Sequence, residues 1–392
     1  MSADLSLRAT IGVKQSQWIC YVANAMGLPR RPVPPIGRAG LLAMTHFIIN
    51  KFLSHRYMKK INIAINGFGR IGRHVFKLAL EKKNLQVVAI NDLTDTKTLA
   101  HLLKYDTAYE EYKKKVSFDD KNIIVNGKKI PVFAIKDPSM LPWKKLKVDV
   151  VIECTGIFRD KDGAGLHLKA GAKKVIISAP AKGGDVPTYV RGVNCGKVKQ
   201  EKAKIINNAS CTTNCIAPVM AVLDETFGIE KGMMSTVHGY TSDQNLQDGP
   251  HKDLRRARAA AENIIPTSTG AAKAVGEVKP NLQGVFDGVA FRVPVPTCSL
   301  SDITVVLKKD VTKEQINNAL IKASKTPRFK GILMCTTEPL VSSDYVGNSY
   351  SSIVDLELTN VVGGNLVKVV AWYDNEMGYS HRLVEMVGLF AK

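Results

Sequence analysis

The chain has 392 residues, of which 45% are hydrophobic, and its formal net charge is +20. This composition excludes a disordered or fibrous protein, and the length exceeds what one ordinary core organises, so we predict two domains. No segment approaches the roughly 20 apolar residues that a spanning helix needs, which argues against a membrane protein. The excess of Lys and Arg attracts polyanions and anionic ligands. Because the lysines lie in short clusters without interleaved aromatic residues, we interpret most of this charge as solvated surface.

The seven cysteines are spread along the chain, with neither an even count nor a compact framework. That distribution indicates reduced thiols in a cytoplasm-like compartment. Cys211 and Cys215 lie four residues apart, but no second Cys/His pair accompanies them. We therefore predict no metal site.

Residues 1–57 form an N-terminal extension that differs from the rest of the chain, with seven basic residues and one acidic residue. They include the proline-rich segment 29–35, which is incompatible with a helix or a central strand. An Arg-rich, acid-poor composition is typical of organelle transit peptides, although this segment is not rich in serine. Alternatively, the true start is Met58 and the extension is upstream sequence read as protein. Both interpretations set residues 1–57 apart from the fold.

A strand, a glycine turn and a helix then follow one another directly. Residues 61–66 alternate and are β-branched, which predicts a buried parallel strand, and residues 73–81 have helical apolar spacing. Gly67, Gly69 and Gly72 form a G-x-G-x-x-G motif between them. Such a turn lets a pyrophosphate approach the backbone at the helix N-terminus. The sequence therefore predicts a dinucleotide site.

Asp92 follows the next predicted strand, residues 87–90, and lies 20 residues beyond Gly72. An acidic side chain at this spacing accepts hydrogen bonds from ribose hydroxyls and repels a 2′-phosphate, which favours NAD over NADP. The alternative is that Asp92 caps a helix before Thr94 and Asp95.

Further α/β alternation predicts a Rossmann-type doubly wound parallel sheet. Residues 148–154 and 175–178 have the pattern of parallel strands, and we predict a helix near residues 166–174 between them. Because ligands bind at the carboxyl edge of such a sheet, Thr155-Gly156 and Ser178 are predicted to line the cofactor cleft.

Cys211 lies where a buried helix is predicted to begin, after a short apolar strand. Residues 215–223 have the composition of that helix, and Pro218 is expected in its first turn, where proline is tolerated. Free backbone N–H groups and the helix dipole favour a thiolate at this position. Thiolate is the nucleophilic form, so Cys211 is a candidate catalyst. The alternative is a small core cysteine.

After Cys211 the strands become longer and alternate, as in residues 302–307 and 366–372. This pattern predicts an α+β catalytic domain with a mostly antiparallel sheet. Residues 233–241 predict a strand near whose end stands His238, a candidate general base for Cys211. The alternative for His238 is a structural histidine.

Groups suited to anions are concentrated in the same half of the chain. A polar loop, residues 243–258, ends in an arginine cluster, and residues 267–272 place Thr and Ser hydroxyls at a predicted helix start. Helix N–H groups and hydroxyls together hold phosphate. Arg292 lies within a strand, where a bound anion would give it a partner. The alternative for the arginine cluster is a salt-bridged subunit surface.

These motifs, taken together, resemble those of phosphorylating glyceraldehyde-3-phosphate dehydrogenases of the bacterial, NAD-dependent, glycolytic type. The resemblance runs from about residue 59 to the C-terminus and rests on residues 66–73, 210–215, 238–241, 267–272 and 371–380. It implies an NAD-binding domain at 59–210, a catalytic domain at 211–373, and a C-terminal helix at 374–392 that returns to the first domain. It also implies a homotetramer in which the loop of roughly 240–263 packs near a neighbour's cofactor site.

The resemblance further implies that Cys211 is the nucleophile and His238 the general base, with the two forming an ion pair. The substrates would be glyceraldehyde 3-phosphate and inorganic phosphate, converted through a Cys thioester to 1,3-bisphosphoglycerate as NAD is reduced. The residues implied for the attacking phosphate are Ser210, Thr212, Thr269 and Gly270. Those implied for the substrate's phosphate are Thr241, Asp243 and Arg256, with Arg292 reaching both anions. Those implied to contact NAD are Asn66, Gly67, Phe68, Gly69, Arg70, Ile71, Asp92, Lys136, Ser178 and Asn375.

Two positions depart from the family's pattern. Lys136 stands where the family often has arginine, which keeps the charge and loses bidentate geometry. Gly249 replaces a larger residue that is common in NAD-specific members. The strictness for NAD over NADP is therefore left open.

Two other functions are compatible with the sequence. Erythrose-4-phosphate dehydrogenase has the same scaffold and thiol chemistry and differs in how well phosphate competes with water. A polyanion- or RNA-binding protein would use the charge of +20, but bare charge predicts only weak, salt-sensitive binding as a secondary role.

Overall fold

The structure is a computed structural model that describes residues 60–391. Both interpretations of residues 1–57, the transit peptide and the misplaced start, lie outside the described residues. Within the described range the chain forms two large sheets and one small one, with helices packed against them.

The first large sheet is mainly parallel and has the strand order β10-β9-β8-β1-β2-β7-β6-β5. Across the sheet from β10 to β7, each strand pairs in parallel with its neighbour. Strands β6 and β5 extend the edge beyond β7 as antiparallel neighbours. Its strands are β1 (Ile61–Asn66), β2 (Leu85–Asn91), β5 (Val116–Asp119), β6 (Asn122–Val125), β7 (Lys128–Phe133), β8 (Val150–Glu153), β9 (Lys174–Ile177) and β10 (Ile205–Asn207). Strands β3 (Tyr105–Asp106) and β4 (Glu110–Glu111) form a separate short pair.

The second large sheet is mostly antiparallel and has the order β12-β13-β11-β14-β17-β16-β15. Parallel pairing is limited to β11 with β13 and β15 with β16 in this sheet of the described residues. Its strands are β11 (Ile229–Gly239), β12 (Ile265–Ser268), β13 (Phe286–Val293), β14 (Ser299–Leu307), β15 (Leu333–Thr336), β16 (Ser352–Val362) and β17 (Leu366–Tyr373). The predicted fold class, a doubly wound parallel sheet plus an α+β part with a mostly antiparallel sheet, is confirmed.

Seven helices accompany the sheets in residues 60–391. They are α1 (Arg70–Ala79), α2 (Thr96–Lys104), α3 (Lys161–Lys169), α4 (Cys211–Phe227), α5 (Ala271–Val278), α6 (Lys313–Ser324) and α7 (Met377–Phe390). Helix α7 packs on α1 and shares one apolar cluster with the first sheet, in which Leu383 and Phe390 join Ile63 and Val75. Helix α4 packs on the second sheet and shares the other large cluster.

Two local predictions about helices were wrong. The helix expected near residues 166–174 is α3, which begins earlier because the Asp160 side chain caps it through the N–H of Gly163 at 2.7 Å. It ends before Gly171, whose φ of +98° and approach to Lys144 leave no room for a side chain. Pro218 lies inside α4, beyond its first turn. Burial of the whole stretch 212–223 maintains the helix despite the missing N–H.

The return of the C-terminal helix to the first sheet can be tested through two leucines of α7. Leu383 is fully buried in the cluster shared with the first sheet, whereas Leu389 lies at its partly exposed margin. We expect Leu383→Ala to lower the free energy of unfolding by about 2–5 kcal/mol, because it leaves a cavity. The control Leu389→Ala should cost clearly less in the same urea titration. Equal effects would contradict the packing of α7 described here.

Candidate active site

Cys211 is the first residue of α4. Ser210 is the N-cap, and its hydroxyl accepts the Thr213 N–H at 2.9 Å. The sulfur lies at the N-terminal end of α4. Unpaired backbone N–H groups and the positive end of the helix dipole lie at the same end. The position expected for Cys211, at the start of a buried helix, is confirmed.

His238 stands near the end of β11, and parallel pairing places Arg292 of β13 directly beside it. The Arg292 Nη1 atom donates to the Gly239 carbonyl at 3.2 Å and to the Thr241 hydroxyl at 3.1 Å. The same atom lies 3.0 Å from His238 Nδ1. Strand register therefore brings a cation against the imidazole.

The sulfur of Cys211 lies 3.5 Å from Nε2 of His238. The Nδ1 atom of His238 lies 2.7 Å from the Gly239 carbonyl oxygen, which can only accept. Because the two protons of Arg292 Nη1 go to Gly239 and Thr241, Nδ1 carries its own proton and donates it to Gly239. Nε2 then keeps a lone pair directed at the sulfur. This is the arrangement of a thiol and a base that can take its proton.

The surroundings do not favour the ion pair that was expected from the sequence. Burial, followed by the positive charge of Arg292, lowers the pKa of His238 to about 3. Burial raises the pKa of the Cys211 thiol, while Arg292 and the Thr212 hydroxyl act in the opposite direction. A neutral thiol next to a neutral imidazole is the favoured state here. Arg292, rather than an imidazolium, is the cation that stabilises a thiolate.

The helix starts of α4 and α5 lie side by side, since the Thr213 hydroxyl donates to the Ala271 carbonyl at 3.2 Å. Gly270 is the N-cap of α5 and offers no side chain, and the Thr269 hydroxyl accepts the Ala271 N–H at 3.1 Å. Thr212 is buried, and its hydroxyl pairs with Tyr373 at 2.8 Å. Thr269 and Gly270 are therefore open to an anion, whereas the Ser210 hydroxyl is engaged with Thr213. The Thr212 hydroxyl binds Tyr373 and lies 3.9 Å from the Cys211 sulfur.

Thr241, Asp243 and Arg256 form one connected group with Arg292. The Arg256 guanidinium pairs with the Asp243 carboxylate, which also accepts the Thr241 hydroxyl. Arg256 Nε donates to the Thr267 hydroxyl at 2.9 Å. The Nε of Arg292 is buried and has no hydrogen-bond partner among the described residues. These cationic and hydroxyl groups match what a phosphate ester requires.

The glycine turn has the shape that a dinucleotide needs. Gly67 has φ +89°, and a Cβ on it would lie 2.7 Å from the Thr155 nitrogen. Gly69, the N-cap of α1, has nothing within 4 Å of its Cβ position and makes no side-chain cap. The first N–H groups of α1 are thus open to a pyrophosphate. The Asp92 carboxylate accepts the Phe68 N–H at 2.7 Å, while the cap of α2 is Asp95. The residues present therefore fit NAD.

Three residues implied to contact NAD use their side chains within the protein. The Phe68 ring is buried against Phe76. The Arg70 guanidinium binds the carboxylates of Asp106 and Glu376. The Asn66 side chain is buried and hydrogen bonded to its neighbours. Their backbone groups remain at the turn, next to Ile71 in the first turn of α1.

The remaining residues implied for NAD lie on separate segments. Asn375 is buried, and its Oδ1 accepts the Ser299 hydroxyl at 2.9 Å, which leaves its amide N–H₂ to donate. Ser178 directly follows β9, and Lys136 is exposed after β7. Ser299 was not predicted from the sequence, and its hydroxyl also accepts the Gly239 N–H at 3.2 Å. A serine at the start of an alternating strand gives no signal of such a role.

The described residues contain neither a metal-binding cluster nor a helix that could span a membrane. Within 60–391, no group of three or more His, Cys, Asp and Glu side chains is arranged to hold a metal ion. No helix in the same range is both long enough and apolar enough to cross a membrane.

A glycine turn after the first strand of a parallel sheet, together with a thiol and an imidazole in contact at the start of α4 and the end of β11, is the equipment of a dinucleotide-dependent oxidoreductase. Two family models match the chain. Residues 61–161 match the glyceraldehyde 3-phosphate dehydrogenase NAD binding domain, and residues 210–375 match the C-terminal domain of the same family.

Curated relatives agree with the family models. A glyceraldehyde-3-phosphate dehydrogenase of Thermotoga maritima is 58% identical over 84% of this chain and 99% of its own length. The enzyme of that name from Borreliella burgdorferi is 57% identical over 85% of this chain and 100% of its own length. The one from Geobacillus stearothermophilus is 55% identical over 84% and 98%, respectively. The chain belongs to the glyceraldehyde-3-phosphate dehydrogenase family.

The roles of Arg292 and His238 in thiol activation can be separated by alkylating Cys211 with iodoacetamide over a range of pH. Only thiolate reacts, so the raised pKa of Cys211 shifts the rate profile to higher pH than that of a free cysteine. Arg292→Gln removes the stabilising charge, and we expect a further upward shift of about one pH unit. His238→Asn removes a neutral group and should shift the profile less.

The matched control is Arg255→Gln, which removes an exposed arginine from the nearby polar loop and should leave the profile unchanged. A larger shift for His238→Asn than for Arg292→Gln would contradict the neutral pair and restore the ion pair.

Proposed function

We propose that this protein catalyses the oxidative phosphorylation of D-glyceraldehyde 3-phosphate to 1,3-bisphosphoglycerate with reduction of NAD. The observation that carries the proposal is the 3.5 Å contact between Cys211 Sγ and His238 Nε2 beside Arg292. A nucleophile, a base and a cation for phosphate meet there, next to the starts of two helices. Membership of the family supports the same assignment.

In the first step, the Cys211 sulfur attacks the aldehyde carbon while His238 Nε2 takes the thiol proton. The carbonyl oxygen becomes an oxyanion, and His238 Nε2 returns the proton to it, which gives the hydroxyl of a hemithioacetal and a neutral imidazole. The Cys211 backbone N–H, free at the helix start, is placed to stabilise this developing charge, a kind of contact worth about 3–4 kcal/mol. His238 subsequently removes the hydroxyl proton as the carbon is oxidised to the thioester. NAD supplies the hydride acceptor for this oxidation.

Binding of the substrate's phosphate raises the basicity of His238. The positive charge of Arg292 is one cause of the low pKa of His238. A phosphate bound to Arg292 offsets that charge, so His238 becomes a stronger base when the site is filled. The same phosphate weakens the stabilisation of a thiolate by Arg292. Proton transfer from sulfur to imidazole is therefore coupled to attack on the bound aldehyde.

Inorganic phosphate completes the reaction by attacking the thioester carbon and displacing the Cys211 thiolate. We assign this phosphate to Ser210, Thr269 and Gly270, with the Thr212 backbone, at the starts of α4 and α5. We assign the substrate's own phosphate to Thr241, Asp243 and Arg256, with Arg292 between the two anions. Asp243 belongs to this group by orienting Arg256 and Thr241. Water must be excluded while the thioester exists, or hydrolysis replaces phosphorolysis.

For the cofactor, we assign the pyrophosphate to the backbone of the turn from Gly67 to Ile71 and the ribose hydroxyls to Asp92. Asn375 is assigned to the carboxamide of the nicotinamide, because its N–H₂ group is left to donate. Lys136 and Ser178 complete the set of residues proposed to bind NAD. Asp92 favours NAD over NADP by charge repulsion of a 2′-phosphate.

The domain limits, assembly and location are parts of the same proposal. We assign NAD binding to residues 59–210, catalysis to 211–373 and the returning segment to 374–392. A homotetramer is supported by the loop of roughly 240–263, where Leu246 and Leu254 are 77% and 80% exposed, as at a surface that a second copy covers. A reducing, cytoplasmic location suits a nucleophile that must stay a free thiol.

Erythrose-4-phosphate dehydrogenase activity is the nearest alternative, and polyanion binding is a secondary alternative that rests on net charge alone. The two enzyme activities separate in an assay of both aldehydes with and without inorganic phosphate. We expect oxidation of glyceraldehyde 3-phosphate to be favoured and to depend on phosphate. Preferred oxidation of erythrose 4-phosphate without a phosphate requirement would contradict the proposal.

The role of Cys211 is tested by Cys211→Ser, which keeps the size of the side chain and removes the nucleophile. We expect steady-state turnover to fall by at least about 1,000-fold, because a serine hydroxyl is not ionised here. The affinity for NAD, measured by calorimetry, should stay within about twofold of the wild type. The control Cys335→Ser, on β15, should keep full activity. Substantial turnover by Cys211→Ser would rule out the assigned nucleophile.

A further inference from the structure

A row of buried polar side chains crosses the first sheet directly beneath the glycine turn. Asn66, Asn91 and Glu153 are the last residues of β1, β2 and β8, and strand register places Asn66 opposite both of the others. All three are at least 95% buried. Buried polar groups at a ligand-binding sheet edge need a reason, because each must find a partner away from water.

The Glu153 carboxylate accepts four hydrogen bonds. The amide of Asn66 donates to Oε2 at 2.6 Å, and His167 Nε2 lies 3.0 Å from the same oxygen. The Thr155 N–H donates to Oε1 at 2.7 Å, and the Thr155 hydroxyl donates to Oε1 as well. Among the described residues no Lys or Arg lies within ion-pair distance of Glu153, and the basic side chain at that distance is His167.

Every one of these donors is fixed in its orientation. Ile135 donates its N–H to Asn91 Oδ1 at 3.0 Å and accepts from Asn91 Nδ2 at 2.9 Å, so the Asn91 amide cannot be reversed. Asn91 Nδ2 also donates to Asn66 Oδ1 at 2.7 Å, which fixes the Asn66 amide as a donor toward Glu153. The backbone N–H and carbonyl of Ile135 thus fix the Asn91 amide, and Asn91 in turn fixes the orientation of Asn66.

The histidine is fixed in the same way from the other side. The indole Nε1 of Trp143 is a donor only, and it lies 3.0 Å from His167 Nδ1. His167 Nδ1 therefore accepts, and Nε2 carries the proton that is donated to Glu153. The Ile157 N–H occupies a lone pair of the Thr155 hydroxyl at 3.1 Å, which leaves the hydroxyl proton for Glu153. All four donors are satisfied when both side-chain oxygens at position 153 accept, as they do in a carboxylate.

The segment held by Glu153 supports the glycine turn. The Gly67 backbone lies against the peptide between Cys154 and Thr155, so closely that a Cβ on Gly67 would be 2.7 Å from the Thr155 nitrogen. That nitrogen is the one whose N–H binds Glu153. The position of the Thr155 peptide, and hence of the turn that closes against it, depends on this hydrogen bond.

We propose that Glu153 is a positioning residue for NAD, which acts by fixing the Thr155 segment and, through Asn66, the glycine turn. Its buried carboxylate aligns the ends of three strands on which the cofactor cleft is built. Asn66 and Thr155 belong to this network and transmit its geometry to the turn. The inference rests on the proposed NAD-dependent activity and assigns a source to the shape of its cofactor site.

The variant that tests this is Glu153→Gln, which keeps the shape and replaces one acceptor with an N–H₂ group. In either orientation of the new amide, its N–H₂ faces fixed donors. We expect the dissociation constant for NAD, measured by calorimetry, and the KM for NAD to rise about tenfold. The KM for the aldehyde and the alkylation rate of Cys211 without NAD should stay within about twofold of the wild type.

The matched control is Asp149→Asn. Asp149 directly precedes β8, at the end of that strand opposite to Glu153. Asp149 accepts the Asn62 N–H at 2.9 Å and pairs with Lys173, so its loss disturbs the sheet away from the cofactor edge. We expect this control to lower the thermal midpoint and to leave NAD binding unchanged. An equal loss of NAD affinity in Asp149→Asn would overturn the proposal, because general destabilisation would explain both.

Trp143→Phe decides the question if Glu153→Gln does not fold. It releases His167 at the outer end of the network without touching the cofactor cleft. We expect it to weaken NAD binding by about threefold to tenfold while the KM for the aldehyde stays constant. NAD affinity within twofold of the wild type in the folded variant would overturn the proposal. A wild-type protein that fails to reduce NAD with the aldehyde would instead refute the proposed function.

Discussion

The contact between the Cys211 sulfur and His238 Nε2, at 3.5 Å, depends on two elements that meet end to end. The start of α4 fixes the sulfur, and the end of β11 fixes the imidazole. The helix is held by complete burial of its apolar stretch and the strand by pairing on both sides. Neither side chain is placed by a flexible loop, so the rest of the proposed chemistry is built around a rigid pair.

Arg292 acts on the two members of this pair in opposite directions. Its charge favours the thiolate of Cys211 and disfavours the imidazolium of His238. The parallel pairing of β11 with β13 makes this unavoidable, because Arg292 and His238 are register partners. An anionic substrate that binds Arg292 would relieve the effect on the base. The strand pairing thus links substrate binding to proton transfer through one side chain.

Much of the fold follows from local patterns in the sequence. The alternation of residues 61–66 and the glycine motif that follows predict β1 and the start of α1, and both are present. The thiol at the start of α4 and the histidine near the end of β11 are also predicted locally. The start of α3 was missed although its Asp160 cap is a local signal, whereas the end of α3 against Lys144 and the interior Pro218 depend on tertiary packing.

What sequence reasoning could not supply are the partners of each polar side chain. Arg70 is expected to contact NAD, yet its guanidinium binds Asp106 and Glu376, which are distant in sequence. The ionisation of Cys211 and His238 depends on burial and on a register that no motif encodes. Long-range contacts of this kind appear only when the chain is folded.

The most direct test of the central claim is to trap the acyl-enzyme. The protein is mixed with glyceraldehyde 3-phosphate and NAD without inorganic phosphate, quenched in acid, digested and analysed by mass spectrometry. We predict a 3-phosphoglyceroyl group on Cys211, discharged when inorganic phosphate is added before the quench. An unmodified Cys211 while NAD is reduced, or an acyl group on another cysteine such as Cys215, would contradict the account.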